Sequence, residues 1–143
     1  MKLQKISETT LPAMTEEAVA KVREMESRLM QMPQAEIETR HVFHAGVYAR
    51  SMTLPANGVI TGALIKIPTL LIVSGDVMVY TGEESVRLTG YHVLVGQAGR
   101  KQAFVALQET NLTMLFATQE TSVEGAEMAF TDEYQNLLSR RAT

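Results

Sequence analysis

The sequence predicts a single mainly β domain, an antiparallel sandwich or jelly roll with one helix before the β body and helices after it. Its length of 143 residues suits one domain. Between residues 34 and 118, short apolar runs alternate with turn residues and show no helical period. Both ends of the chain instead combine helical spacing with capping residues. We therefore divide the chain into an N-terminal arm and helix (1–33), a β body (34–118) and a C-terminal helical segment (119–143).

The N-terminal segment predicts a polar arm over the first ten residues and a helix over 15–32. Thr15 is a capping residue, Glu16 and Glu17 suit the positive end of the helix dipole, and Pro33 ends the helix. One apolar stripe follows helical spacing: Ala18, Val22, Met25, Leu29 and Met32. The stripe packs either on its own subunit or on a second one, so its last four residues are candidates for an oligomer contact.

The β body predicts about eight to ten short strands. In residues 36–43, alternation places Ile37, Thr39, His41 and Phe43 on one face and the charges on the other. The further predicted strands are 47–54, 59–67, 69–73, 77–80, 86–88, 91–95, 102–107 and 112–118. Residues 74–76 and 97–99 are predicted turns because they contain glycine beside small or polar residues. Since no helical pattern interrupts the strands, a parallel α/β sheet is not expected.

The C-terminal segment predicts two short helices. Thr121 and Glu124 fit a capping box that begins a helix ending near Phe130. Thr131 is a second candidate cap, before a last predicted helix over 133–140. The apolar side of that last helix would consist of Tyr134, Leu137 and Leu138.

Charge is unevenly distributed along the chain. The net charge is −3 and 20% of the residues are charged, but only nine charged residues fall among residues 45–118, well below the roughly 25% of an average soluble domain. A segment so poor in charge is typical of a surface covered by its own flanks or by a second subunit. The alternative is a compact barrel with a surface of Ser, Thr and Gln.

Composition also excludes several partners. The acidic balance excludes nucleic-acid binding driven by bulk charge. No apolar run approaches the roughly 20 residues of a membrane helix. The start of the chain lacks the apolar core of a signal peptide, so we expect an intracellular domain without a membrane partner.

Few residues suggest catalysis. The chain has no cysteine, which excludes thiolate nucleophiles and cysteine-ligated metals. His41 and His44 lie three apart on a predicted strand, so they point to opposite faces and cannot chelate one metal together. His92 has no acidic neighbour in sequence. A metal site built from these three histidines by another geometry remains an alternative.

Two segments are candidates for binding. Residues 96–101 combine two glycines with the adjacent cations Arg100 and Lys101, which could bind a phosphate or carboxylate. We predict instead that these residues form an ordinary hairpin with a solvated basic tip, and anion binding is the alternative. Tyr48 and Arg50 share one face of a predicted strand, where they could line a pocket or a subunit contact.

Residues 41–118 resemble the small cupin family. The likeness lies in residues 54–58, in the strand pair around 72–77 and in residues 97–101. More narrowly, the Gly-Val-Tyr-Ala-Arg segment at 46–50, before a Pro-Ala-Gly-type turn, looks like the small cupin-like proteins encoded by tailed bacteriophages. The resemblance implies a single cupin-like antiparallel jelly-roll barrel.

The sequence departs from the cupin pattern at the metal ligands. Cupins place two His and a Glu between two glycines that match Gly58 and Gly75, yet no His, Glu or Asp lies between them here. The second-motif His corresponds to Gln102, or to Leu107 in a shifted alignment. The resemblance therefore implies a metal-free barrel without a cofactor. Its expected interior consists of Ile65, Ile67, Leu71, Val73, Phe104 and Ala106.

Two functions follow from these expectations. The first is a non-enzymatic, homo-oligomeric structural or interaction protein of a bacteriophage, a virion component or an accessory factor in the host cytoplasm that binds another phage or host protein. The alternative is a binding protein for a sugar or nucleotide, or a metal-independent enzyme, that uses the barrel pocket. The candidate ligand-binding residues are Tyr48, Arg50, Arg100 and Gln102, with His92 as a further candidate.

Overall fold

A computed structural model describes residues 10–80 and 84–137. The elements are β1 (Thr10–Leu11), α1 (Glu16–Leu29), β2 (Thr39–His44), β3 (Val47–Leu54), β4 (Val59–Thr61), β5 (Thr69–Tyr80), β6 (Ser85–Gly96), β7 (Ala103–Ala106), β8 (Thr110–Ala117), α2 (Val123–Phe130) and a 3₁₀ turn (Tyr134–Asn136). The predicted mainly β class with flanking helices is confirmed. Most of the predicted N-terminal arm and the end of the last predicted helix lie outside the described residues. No helix in the described part of the chain is long and apolar enough to cross a membrane.

The N-terminal helix α1 begins where the capping residue predicts. The Thr15 hydroxyl accepts a hydrogen bond from the Ala18 N–H at 3.1 Å, which satisfies a backbone donor of the first turn. The apolar stripe divides into two parts. Val22 is 1% exposed and packs within its own subunit, whereas Met25 and Met32 are exposed. Only the second part is accessible to another chain.

The strands form one eight-stranded sheet that branches at β5. Its main part, called the larger sheet below, has the order β1-β6-β5-β8-β3-β2, and in the branch β7 pairs with both β4 and β5. The first half of β5 pairs with β8 and its second half pairs with β7, so β5 passes from one part of the sheet to the other. The pairings are antiparallel except for the short parallel pairing of β1 with β6. The two parts of the sheet therefore enclose a barrel interior that the core residues of β5, β6, β7 and β8 fill.

The predicted turn at residues 74–76 is wrong, because these residues lie within the continuous 12-residue strand β5. The predicted break between residues 88 and 91 is wrong for the same reason, since β6 is also continuous. Gly75 and Gly90 face each other across the ladder with φ angles of 149° and 86°. Glycine adopts these angles without strain, so the strand pair bends here without losing its register.

Three other predicted boundaries also need correction. The predicted strand 59–67 is only β4, followed by an isolated bridge between Ile65 and Arg100. Ser122, not Thr121, caps α2, because its hydroxyl accepts the Gly125 N–H at 3.0 Å. The described part of the last predicted helix is a 3₁₀ turn.

The core consists of two clusters of buried side chains. The first fills the barrel and includes the predicted interior residues Leu71, Val73, Phe104 and Ala106. The second joins the sheet to α2 and consists of Tyr48, Phe116, Ala126 and Phe130. The predicted interior residues Ile65 and Ile67 pack against this second cluster and are partly buried. Packing of α2 on the sheet thus closes one side of the barrel.

Candidate functional site

A cavity of about 190 Å³ lies between the barrel strands and the two helical segments. Its apolar wall comes from strands β3, β5, β7 and β8 through Met52, Leu71, Phe104, Leu112 and Met114. Its polar wall includes Arg50, Arg100, Lys101 and Gln102, together with Glu26 from α1 and Glu133 from the C-terminal segment. A water molecule needs about 10–15 Å³ of such space. The cavity is therefore large enough for a small organic molecule.

Arg50 is held on the cavity wall by a buried ion pair. The alternation of β3 turns Arg50 inward, where only 7% of the residue is exposed. Its Nη1 donates to Oε2 of Glu127 at 2.8 Å, and Glu127 on α2 is 1% exposed. The guanidinium carbon also lies 5.4 Å from the centre of the Phe130 ring. The pair thus fastens α2 to the sheet beside the cavity.

Tyr48 lies beneath Arg50 and is not a lining residue of the cavity. Its hydroxyl accepts from Arg50 Nη1 at 3.3 Å and lies 2.7 Å from Nδ1 of His41. Burial raises the pKa of Tyr48. Burial, and after it the Arg50 cation, lowers the pKa of His41. These contacts fit a neutral His41 whose Nδ1 accepts a hydrogen bond from the Tyr48 hydroxyl, while the same hydroxyl oxygen accepts from Arg50. Tyr48 therefore helps to position Arg50.

Arg100 is buried, so the predicted solvated basic tip is wrong. It is 2% exposed, because the loop after β6 folds over the barrel instead of into solvent. Its Nε donates to Oε1 of Gln102 at 3.2 Å, Nη1 donates to the Gln97 carbonyl at 2.6 Å, and Nη2 donates to the Thr69 hydroxyl. The guanidinium packs so tightly on Gly96 that a Cβ there would collide with it. Burial lowers the pKa of Arg100 to about 10.

Lys101 joins three distant segments at the cavity. It is 2% exposed, and its Nζ donates to the Gly62 carbonyl at 2.8 Å and to Oε2 of Glu26 at 3.1 Å. Oε1 of Glu133 lies 3.6 Å from the same nitrogen. Glu26 belongs to α1, Gly62 follows β4, and Glu133 follows α2. Lys101 therefore connects the two helical segments to the barrel.

Glu133 is ionised within this cluster. Its Oε1 accepts the Leu64 N–H at 2.8 Å, and its Oε2 accepts from Arg23. Burial opposes ionisation, but the Leu64 hydrogen bond and the cations Arg23 and Lys101 outweigh it and hold the pKa of Glu133 below its ordinary value. The carboxylate thus keeps its charge and helps to hold the C-terminal segment over the cavity.

The structure brings three of the four predicted ligand-binding residues to one cavity: Arg50, Arg100 and Gln102. His92 does not join them, since it is half-buried outside the cavity and its Nε2 bonds to the Thr89 carbonyl. The predictions omitted the carboxylates Glu26, Glu127 and Glu133. One of these had a signal in the sequence, because helical spacing places Glu127 on the same face as Val123 and the buried Phe130.

The side chains around the cavity do not fit the His- and Glu-ligated metal site that is typical of cupins. Among the described residues, no three His, Asp or Glu side chains cluster closely enough to hold a metal ion. The strand positions on the cavity wall carry side chains such as Leu71, Leu112 and Met114. Divalent ions in such barrels need carboxylate or imidazole ligands, so we derive no metal-dependent step from this site.

Three solved structures share the fold at low sequence identity. A cupin-superfamily protein of Desulfitobacterium hafniense matches with a TM-score of 0.51 at 12% identity, over 65% of this chain and 87% of that protein. A cupin-2 domain of Rhodospirillum rubrum matches with a TM-score of 0.52 at 10% identity, over 64% and 66%. KdgF from a Halomonas species matches with a TM-score of 0.50 at 19% identity, over 63% and 87%. No protein-family model matches the chain, and no curated protein is similar in sequence. The chain therefore has a cupin-like jelly-roll fold.

Proposed function

We propose that the protein is a binding module that holds a small organic molecule in the barrel cavity. One observation carries the proposal: a cavity of about 190 Å³ is lined by the buried polar residues Arg50, Arg100 and Gln102 together with apolar side chains. Ligand sites typically combine an apolar enclosure with a few polar groups that fix orientation. This is the alternative function that the sequence predicted, and the cavity favours it over a purely structural role.

The surroundings of the cavity favour a small ligand. Side chains from α1 and from residues 133–137 line the cavity. The ion pairs of Lys101 with Glu26 and Glu133 hold both segments in place. A small molecule can bury most of its surface in such a space, which gives it affinity without a large interface.

Filling part of the cavity should weaken ligand binding. Ala63 lines the cavity, so the larger side chain of Ala63→Leu should occupy part of it. We expect this variant to bind the probes hexanamide and hexanoate about tenfold or more weakly, because the apolar part of each probe loses its contacts. The measurement is a titration of protein labelled with ¹³C-methyl methionine. Met52 and Met114 line the cavity and report occupancy, whereas exposed Met32 reports non-specific effects.

Ala20→Leu, on the exposed face of α1, is the matched control and should leave the titration unchanged. The proposal is wrong if neither probe causes a saturable shift of the Met52 and Met114 signals. It is equally wrong if Ala63→Leu binds the probes as tightly as the original chain.

A second candidate function is homo-oligomer formation through the outer face of the larger sheet. Four apolar side chains lie exposed together on β5 and β6, namely Leu70, Tyr91, Val93 and Val95, which are 44%, 67%, 44% and 38% exposed. We propose a second copy of the chain as the occupant of this outer-face patch. A twofold axis through the patch would place these uncharged side chains against themselves without charge repulsion.

Val93→Lys should convert such a dimer to a monomer, since each interface would then bury two unpaired ammonium groups. Sedimentation velocity measures the change in mass. Val59→Lys is the control, because Val59 is similarly exposed at 38% but lies on β4, outside the larger sheet. A chain that sediments as a monomer at its highest soluble concentration would rule out the outer-face dimer.

A structural or accessory role in a bacteriophage is a more specific version of the homo-oligomer proposal. The resemblance to cupin-like proteins of tailed bacteriophages supports a virion component or an accessory factor in the host cytoplasm that binds a phage or host protein. That role depends on the resemblance alone, and mass spectrometry of purified particles tests it.

A further inference from the structure

Among the described residues, the cavity wall has one more cation than it has carboxylate partners. Three of its four cations are paired: Arg23 with Glu133, Arg50 with Glu127, and Lys101 with both Glu26 and Glu133. Arg100 is the fourth cation, and among the described residues no carboxylate lies within 4.0 Å of it. The wall therefore carries an excess positive charge at Arg100.

The hydrogen bonds of Arg100 do not replace that missing charge. All three go to neutral oxygens, those of Gln97, Gln102 and Thr69. They use three of the five guanidinium N–H groups, which leaves two without an acceptor among the residues that the structure describes. With 2% of the residue exposed, water solvates the cation poorly. A buried cation without a counter-charge is costly, and a ligand that brings a negative charge would relieve the cost.

We propose that the ligand of this cavity is a small monocarboxylate with an apolar body, and that Arg100 binds the carboxylate with Gln102 beside it. The inference rests on the proposed function. A guanidinium matches the planar geometry of a carboxylate and strengthens each hydrogen bond through its charge. Arg100 is the one wall cation without a carboxylate partner in the described part of the chain, which matches a ligand with a single negative charge. The apolar side chains of Met52, Leu71 and Leu112 receive its carbon chain.

Hexanoate and hexanamide, which have the same length and differ in charge, separate this inference from the proposed function. We expect hexanoate to bind about tenfold to a hundredfold more tightly than hexanamide, measured through the Met52 and Met114 methyl signals. Arg100→Gln should bring the two affinities together, mainly by weakening hexanoate. The matched control is Arg87→Gln, which removes an exposed guanidinium paired with Asp76, outside the cavity, and should leave the preference intact.

A second variant keeps the test decisive if Arg100→Gln fails to fold. Gly96→Ala retains the charge but displaces the guanidinium, because the new methyl group would occupy its position. It should also reduce the preference for hexanoate, and an unchanged preference would overturn the inference. Equal binding of both probes to the original chain would overturn the Arg100 inference alone, whereas no binding of either probe would overturn the proposed function.

Discussion

Replacing Glu127 with alanine should lower the free energy of unfolding by about 3–5 kcal/mol. Glu127 is 1% exposed and its carboxylate lies 2.8 Å from Arg50, which is itself 7% exposed. Without Glu127, the Arg50 cation remains buried beneath α2 without its carboxylate partner. Urea unfolding followed by circular dichroism measures the change, since the chain has no tryptophan.

Two further variants show whether the loss comes from the buried pair. Glu124→Ala removes an exposed carboxylate from the same helix and should cost less than about 1 kcal/mol. The double variant Arg50→Met with Glu127→Leu should recover most of the stability, because an apolar pair of similar volume leaves no charge unpaired. If Glu127→Ala were no more destabilising than Glu124→Ala, the pair would not fasten α2 to the sheet.

Replacing Gly75 with alanine should lower the free energy of unfolding by about 3 kcal/mol. Two causes add together. The φ angle of 149° is strained for any residue with a Cβ. In addition, a Cβ at Gly75 would lie 2.5 Å from the Thr110 hydroxyl and 2.6 Å from the Glu109 carbonyl oxygen, far inside normal contact.

Gly90→Ala is the matched control for this prediction. Gly90 is the ladder partner of Gly75 and also has a positive φ, 86°, but nothing lies within 4 Å of its Cβ position. It should therefore cost only the backbone strain, about 1–2 kcal/mol. Thermal or urea unfolding of both variants gives the difference between their free energies of unfolding, and that difference measures the cost of the steric collision at Gly75. If both variants lost the same stability, the backbone near Thr110 would move to accommodate the new methyl group without cost, and the prediction would be wrong.

Local patterns predicted the strands well where alternation and turn residues agreed. The predicted strand 47–54 has the same bounds as β3, because apolar alternation lies directly before the Pro55-Ala56-Asn57-Gly58 turn. The glycine signal at Gly75 was misleading for a physical reason. A glycine that permits a turn also permits a bend within a paired strand, and only the partner strand decides between them.

The candidate site could be predicted only in part, because its charges are paired by residues distant in sequence. Arg50 pairs with a carboxylate 77 positions away, and Lys101 pairs with one 75 positions away. The sequence predicted Arg50 and Arg100 as binding residues from their local surroundings. Because the partners of Lys101 are distant in sequence, its burial could not be predicted in the same way. Its burial depends on how α1 and the C-terminal segment dock on the barrel.

The long pairing of β5 with β6 has a consequence for the order of folding. The paired residues of this hairpin run from Tyr80 opposite Ser85, next to the turn, to Thr69 opposite Gly96 at the other end. Each pair therefore closes a loop that is shorter than those closed by the pairing of β3 with β8. The pairing of β3 with β8 closes loops of some sixty residues and costs more chain entropy. We expect the β5–β6 ribbon to form first and to offer β8 and β7 a template, since both strands pair directly with β5. The barrel would then be assembled outward from its middle, and the two helical segments would close the cavity last.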